Sequence, residues 1–297
     1  MTAPRGSRQA AKFALALIGC IAAFEASAAY NCNGGVSVTP ISTVYSPSVA
    51  TPNDSTGGWS VTCTRLATDA NSVTFYLGAN NGTHFGGGSR RVQRTVAPFN
   101  QYNYGLYRDA GFSQPWGDTS NAGNRIAVTM NFGAALVATT TGAFYMRVPQ
   151  DLTPGAAGNY TDTVTGNLRG HPGPNPMPAF GITVITTNTC QIYSPPGNVN
   201  FTYTSFQVAA AAASTSFGAR CTLALPYGMA LDATSGTLLG LNYTLALPFP
   251  PPPPFNVIGT GATQTHIING SIAGGQAGTC ATASCVGSQT RTLTISW

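Results

Sequence analysis

The chain has 297 residues, more than one compact core usually spans, with 43% hydrophobic residues, only 7% charged residues and a formal charge of +5. Past the basic N-terminus, ten arginines face seven aspartates with no lysine and no glutamate. That thin balance excludes a nucleic-acid footprint, and the missing helix formers argue against much surface helix.

Arg5, Arg8 and Lys12 precede an apolar run from Phe13 to Phe24 and the small residues Ala26-Ser27-Ala28, so residues 1–28 read as a secretory signal peptide. Leu17-Ile18-Gly19-Cys20 also fits a lipobox, a competing reading in which Cys20 accepts a lipid. Six cysteines follow, an even count that in an exported chain implies disulfides. Cys32 and Cys63 are 31 positions apart, as are Cys190 and Cys221. Sliding the chain by 158 also superposes Tyr45 on Tyr203, Trp59 on Phe217 and Thr64 on Thr222. The simplest account is an internal duplication with matching bridges Cys32–Cys63 and Cys190–Cys221, leaving Cys280–Cys285 as a local loop. A zinc site at Cys280, Cys285 and His266 lacks a fourth ligand, and no metal or other cofactor is expected.

Alternation predicts strands at Val36–Val38, Thr43–Tyr45, Trp59–Cys63, Ser72–Leu77, Arg125–Phe132 and Ala143–Val148. A polar connection is expected through Gly58 and a flexible glycine-rich loop from Gly78 to Arg91. The basic cluster Arg90, Arg91 and Arg94 reads as a solvated strand end. Arg169 to Pro178 is a proline-rich connector, and Phe180, Ile182 and Val184 then fall on one face at period two. In the second half, Val199–Tyr203 and Leu238–Leu247 read as strands, Ala209–Ala213 as a helical turn or small-residue loop, and Pro250–Pro254 as an excursion outside the sheet. Leu293, Ile295 and Trp297 share one face of a last strand.

The most specific stretch is Tyr102 to Asp118, YNYGLYRDAGFSQPWGD, in which Tyr104 and Leu106 alternate and a turn leads to Trp116-Gly117-Asp118. It resembles the Tyr-x-Leu-Tyr-x-Asp…Trp-Gly-Asp segment of the spore coat protein U domain, the subunit module of archaic chaperone-usher pili. Gly158 to Val164 resembles that family's Gly-x-Tyr-x-Asp-Thr-Val pattern, and Gly275 to Gly278 its Gly-Gln-Ala-Gly run. The resemblance implies an all-β chain of two tandem immunoglobulin-like β-sandwich domains. Residues 29–170 would be an adhesin domain, 171–189 a linker with a self-complementing strand at Phe180, Ile182 and Val184, and 190–297 a pilin domain. The second sandwich would be incomplete and accept a donor strand beside Leu293, Ile295 and Trp297.

Little chain separates the expected cleavage site from Cys32, so the chain is expected to accept a strand and not to donate one, which implies a pilus tip. The implied partners are a periplasmic chaperone, an outer-membrane usher, the next pilin subunit and an abiotic or host surface. The implied place is outside the cell, reached through the periplasm, with a role in biofilm formation. Adhesive contacts are expected from loops of the first domain at Tyr45, Phe85, Phe112 and Leu136. A secreted coat or matrix protein of the same fold, or a carbohydrate-binding lectin, are the alternatives. No Gly-x-Ser-x-Gly elbow, His-Glu-x-x-His pair or P-loop occurs, so an enzyme is not expected.

Overall fold

The computed structural model describes residues 30–47, 51–118, 122–151, 155–170, 178–247, 257–282 and 284–297. The expected signal peptide with Cys20, most of the proline connector and the run Pro250–Pro254 lie outside them. The strands are β1 (Val36–Val38), β2 (Ile41–Tyr45), β3 (Asn53–Thr64), β4 (Ser72–Ala79), β5 (Arg90–Arg94), β6 (Gln101–Tyr107), β7 (Ile126–Asn131), β8 (Val137–Val148) and β9 (Gly158–Arg169). There follow β10 (Ala179–Thr186), β11 (Cys190–Ser194), β12 (Ala211–Cys221), β13 (Pro226–Leu231), β14 (Ser235–Leu238), β15 (Leu241–Ala246), β16 (Val257–Ile258), β17 (Thr263–Ile272) and β18 (Leu293–Ser296). The chain is all-β, with one 3-10 turn at Ala122–Asn124 among the described residues. No helix in them is long and apolar enough to cross a membrane.

Two hydrophobic cores form, one from Tyr30 to Val184 and one from Cys190 to Ile295. The first lies between a layer ordered β1-β3-β8-β6-β5 and a layer containing β4, β7, β9, β10 and β2, joined where β5 pairs with both β6 and β9. Alternation writes this directly. On β6, Tyr102, Tyr104 and Leu106 point inward; on β7, Ile126, Val128 and Met130 do. Trp116 is fully buried beside Phe144 and Phe180, and its indole N–H donates to the Leu77 carbonyl at 2.8 Å. Cys32–Cys63, Cys190–Cys221 and Cys280–Cys285 are bonded, as the spacing implied.

β10 closes the first core. It runs antiparallel to β9 over its whole length and parallel to β2 from Ile182 to Thr186, and its Phe180, Ile182 and Val184 are buried. Both edges of this strand are therefore satisfied by its own chain.

Several local expectations fail for identifiable reasons. The polar connection through Gly58 is strand from Asn53 onward, because its outward face carries the polar residues while Gly57 makes room for the Phe144 ring. Ala211–Ala213 is strand, held against Gly270–Ile272. Leu238–Leu247 is a hairpin rather than one strand, since Leu239 and Gly240 both take positive φ. The glycine-rich loop after β4 is anchored rather than free: the buried Asp162 carboxylate accepts from Thr83 N at 2.8 Å, Thr83 Oγ1 at 2.6 Å and His84 N at 3.2 Å. Arg90 and Arg94 do not lie in solvent; they donate to the carbonyls of Ala79, Asn80 and Ala157.

Ile182→Ala is expected to cost the first core about 2–5 kcal/mol in urea unfolding, because a fully buried side chain is lost from its closing strand. Thr183→Ala, on the outward face, is expected to cost under about 0.5 kcal/mol.

Candidate functional site

The duplication holds in three dimensions. β3 and β12 begin and end 158 residues apart apart from the last residue of β3, and each pairs antiparallel along its partner strand, β8 or β17. Asn31 exchanges backbone hydrogen bonds with Thr64, as Thr189 accepts one from Thr222. The Tyr45 hydroxyl accepts from Asp151 N at 2.8 Å and the Tyr203 hydroxyl from Gln276 N at 2.8 Å, which places the Gly-Gln-Ala-Gly run. Tyr104 donates to Asp162 at 2.6 Å and Tyr243 to Gln289 at 2.6 Å. The second core thus has a layer β11-β12-β17-β15-β14 and a layer β16-β13-β18, matching β1-β3-β8-β6-β5 and β7-β4-β9.

Among the described residues, β10 has no counterpart in the second core. Of the two strands that flank β10, β9 corresponds to β18, which pairs only with β13 among the described residues. The other, β2, corresponds to Val199–Tyr203, which has strand-forming alternation yet no strand pairing there. Between these two segments runs a groove of ≈ 730 Å³. Its walls are Val199, Phe201 and Tyr203 on one side and Gly287, Arg291 and Leu293 on the other. Leu241, Leu245, Ile268 and Ile272 form its apolar floor. Such a groove beside an open strand edge can take an extended peptide, with backbone hydrogen bonds along the edge and alternate side chains in the slot. Leu293 is half-buried on it and Ile295 is half-buried against the second core, while Trp297 follows the end of β18 and is 52% exposed, outside the core.

Further along the inward row of β17, His266 is buried against Phe217 and shares a 2.9 Å hydrogen bond with the Tyr227 hydroxyl. The two cysteines that would have joined it on zinc, Cys280 and Cys285, are bonded to each other, and the described residues hold no group of three or more metal-ligating side chains.

The four expected adhesive side chains separate. Tyr45 is 1% exposed, a core residue whose hydroxyl donates to the Pro149 carbonyl, so it is no surface tip; burial pushes its phenol up to about 12. Phe112 sits in a turn at φ +54°, its ring against Tyr107 and Tyr145 and 3.8 Å below the Arg147 guanidinium, so its face is largely spent on its own sheet. Phe85, on the loop anchored by Asp162, is 48% exposed, and Leu136 is 50% exposed. Beside Leu136 stand Leu66 and Val137, both exposed and not foreseen from the sequence. Arg65 ties their two loops together: its guanidinium donates to Ala135 O, Gly133 O, Leu66 O and Asp69 O. This aliphatic patch lies at the Thr64–Val137 end of β3 and β8. The chain leaves the first core at the other end, where Thr186 pairs with Tyr45 and Gly158.

Burial lowers the pKa of His266 below its ordinary 6.5. The unfolded chain therefore takes up the proton more readily, so stability is held above about pH 6.5 and falls as pH drops below that value. The unfolding midpoint of the second core is expected to fall between about pH 7 and 5, and His266→Gln to flatten that slope, read by urea titrations across the range.

A chain of the CsuC–CsuE chaperone–tip adhesion subunit pre-assembly complex from archaic Csu pili of Acinetobacter baumannii is 14% identical. The match covers 88% of this chain and 99% of that one, with a TM-score of 0.43. The CupB6 tip adhesin of Pseudomonas aeruginosa is 10% identical, with 88% and 94% covered and a TM-score of 0.32. No curated protein matches the chain in sequence. The model of the Spore Coat Protein U domain matches residues 18–167, half of the chain, and the protein belongs to that family.

Proposed function

We propose that the protein is a non-enzymatic tip subunit of a chaperone-usher pilus. Its first domain, residues 29–170 together with the strand Ala179–Thr186, attaches the fibre to an abiotic or host surface and so supports biofilm formation. Its second domain, residues 190–297, accepts the donor strand of the next pilin subunit. Before that, a periplasmic chaperone holds the groove and passes the subunit to an outer-membrane usher, from which it reaches the cell surface. The observation that carries this reading is the duplicated sandwich with its closing strand present once: β10 fills the slot of the first core, and the matching slot between Val199–Tyr203 and β18 is open. Among the described residues the first core needs no strand and the second can take one, so on this reading the second domain is the acceptor and the first domain faces outward.

Adhesion is assigned to Leu66, Leu136 and Val137, with Phe85 at the side. Exposed aliphatic side chains held on anchored loops lose little entropy on meeting an apolar surface.

Urea unfolding of residues 29–297 tests the acceptor: peptides spanning the N-terminal extension of a neighbouring pilin are expected to move the second-domain transition to higher urea and leave the first unchanged. Indifference to every such peptide would remove the tip assignment. Leu66→Ser with Leu136→Ser is expected to reduce adsorption to polystyrene severalfold, read by quartz microbalance, with the unfolding midpoints unchanged.

A further inference from the structure

The two slots are not the same shape, and the difference specifies the occupant. This inference rests on the acceptor reading. In the first core Val184 of β10 pairs directly with Tyr160 of β9. Tyr160 is fully buried, donates from its hydroxyl to Ala156 O at 2.6 Å, and its ring lies 4.7 Å from that of Tyr102, which in turn meets Tyr45 at 5.1 Å. Three tyrosines therefore fill the space beside this end of β10, and a valine completes it.

The second core keeps one of the three. Tyr203 stands where Tyr45 does, held by the same kind of hydrogen bond. The Tyr104–Asp162 and Tyr243–Gln289 hydrogen bonds fix the alignment of the other two positions. Two residues before Asp162 is Tyr160, and two before Gln289 is Gly287; two before Tyr104 is Tyr102, and two before Tyr243 is Leu241. A glycine and a leucine thus replace two stacked tyrosines. Gly287, Leu241 and Tyr203 all line the groove together with Leu238 and Leu239, so the volume that the rings occupy in the first core is shared in the second between the slot and these two leucines. Gly287 has no left-handed φ; a Cβ on it would lie 3.1 Å from the Leu238 and Leu239 side chains, so the glycine lets these two leucines approach the wall where a tyrosine ring stands in the first core.

We infer that the second domain selects a donor strand carrying a large apolar residue, an aromatic one, at the position opposite Gly287, where the chain's own closing strand carries Val184. The partner is an extended segment of another protein running antiparallel to β18 and parallel to Val199–Tyr203, as β10 runs between β9 and β2. A valine there would leave a void against Gly287, and each lost contact weakens binding; a phenylalanine fills it.

The test uses residues 29–297 and two synthetic peptides with solubilising lysines at both ends, one with the sequence of Ala179–Thr186 and one with Val184→Phe, titrated by calorimetry. The phenylalanine peptide is expected to bind at least about tenfold tighter, or ~1.4 kcal/mol. Gly287→Tyr, whose ring takes the place opposite that donor residue by pushing the Leu238 and Leu239 side chains aside, is expected to remove the preference. Equal constants for the two peptides on the parent chain would overturn the size rule and leave the acceptor reading standing. Binding of neither would overturn both.

Discussion

A β-sandwich must satisfy the backbone of its last strand and cover the apolar slot beside it, and the architecture of this chain follows from that constraint. An unpaired row of amides next to exposed leucines is costly in water and invites pairing with any free strand. The first core meets the demand from within: β10 supplies hydrogen bonds to β9 and β2 and inserts Phe180, Ile182 and Val184. Among the described residues the second core has counterparts of the other strands in the same order, except that the segment matching β2 is unpaired and β10 has no counterpart. On the proposed reading, this difference divides labour between a domain that is finished and one finished by its neighbour.

Much of this was legible in the residues. Cysteine spacing disclosed the duplication, period two marked the closing strand, and Trp116 and Asp162 lay in stretches that resembled the family. What sequence missed had physical causes. Val199–Tyr203 alternates as well as β2 does, but alternation reports a face suited to burial and not whether a partner strand exists. Asn53–Gly58 looked like a loop because its composition is polar, whereas glycine there serves the approach of Phe144. Tyr45 looked like a loop tip because nothing local tells that its hydroxyl reaches Pro149, 104 residues away. Leu66 and Val137 were missed because scattered aliphatics become a patch only when Arg65 brings two distant loops together.

Two buried polar side chains rigidify the loops of the first core. Asp162 receives hydrogen bonds from Thr83, His84, Thr163 and Tyr104. Arg65 spends its guanidinium on four carbonyls and stacks over Phe132. Burying either group without partners would cost several kcal/mol, on the order of the stability of a domain, so each exacts a defined loop conformation. Loops held in this way present Phe85, Leu66 and Leu136 without needing to be ordered on contact.

The second core applies the opposite logic. On the proposed reading, its walls at Val199–Tyr203 and Gly287–Leu293 gain regular pairing when a donor strand lies between them, so the free energy of binding is also free energy of folding for that region. A slot widened at Gly287 deepens the coupling: the poorer the fit of the chain's own kind of strand, the more the gain depends on the right foreign one. The glycine that lets Leu238 and Leu239 close in on that wall is thereby also what makes the proposed assembly selective.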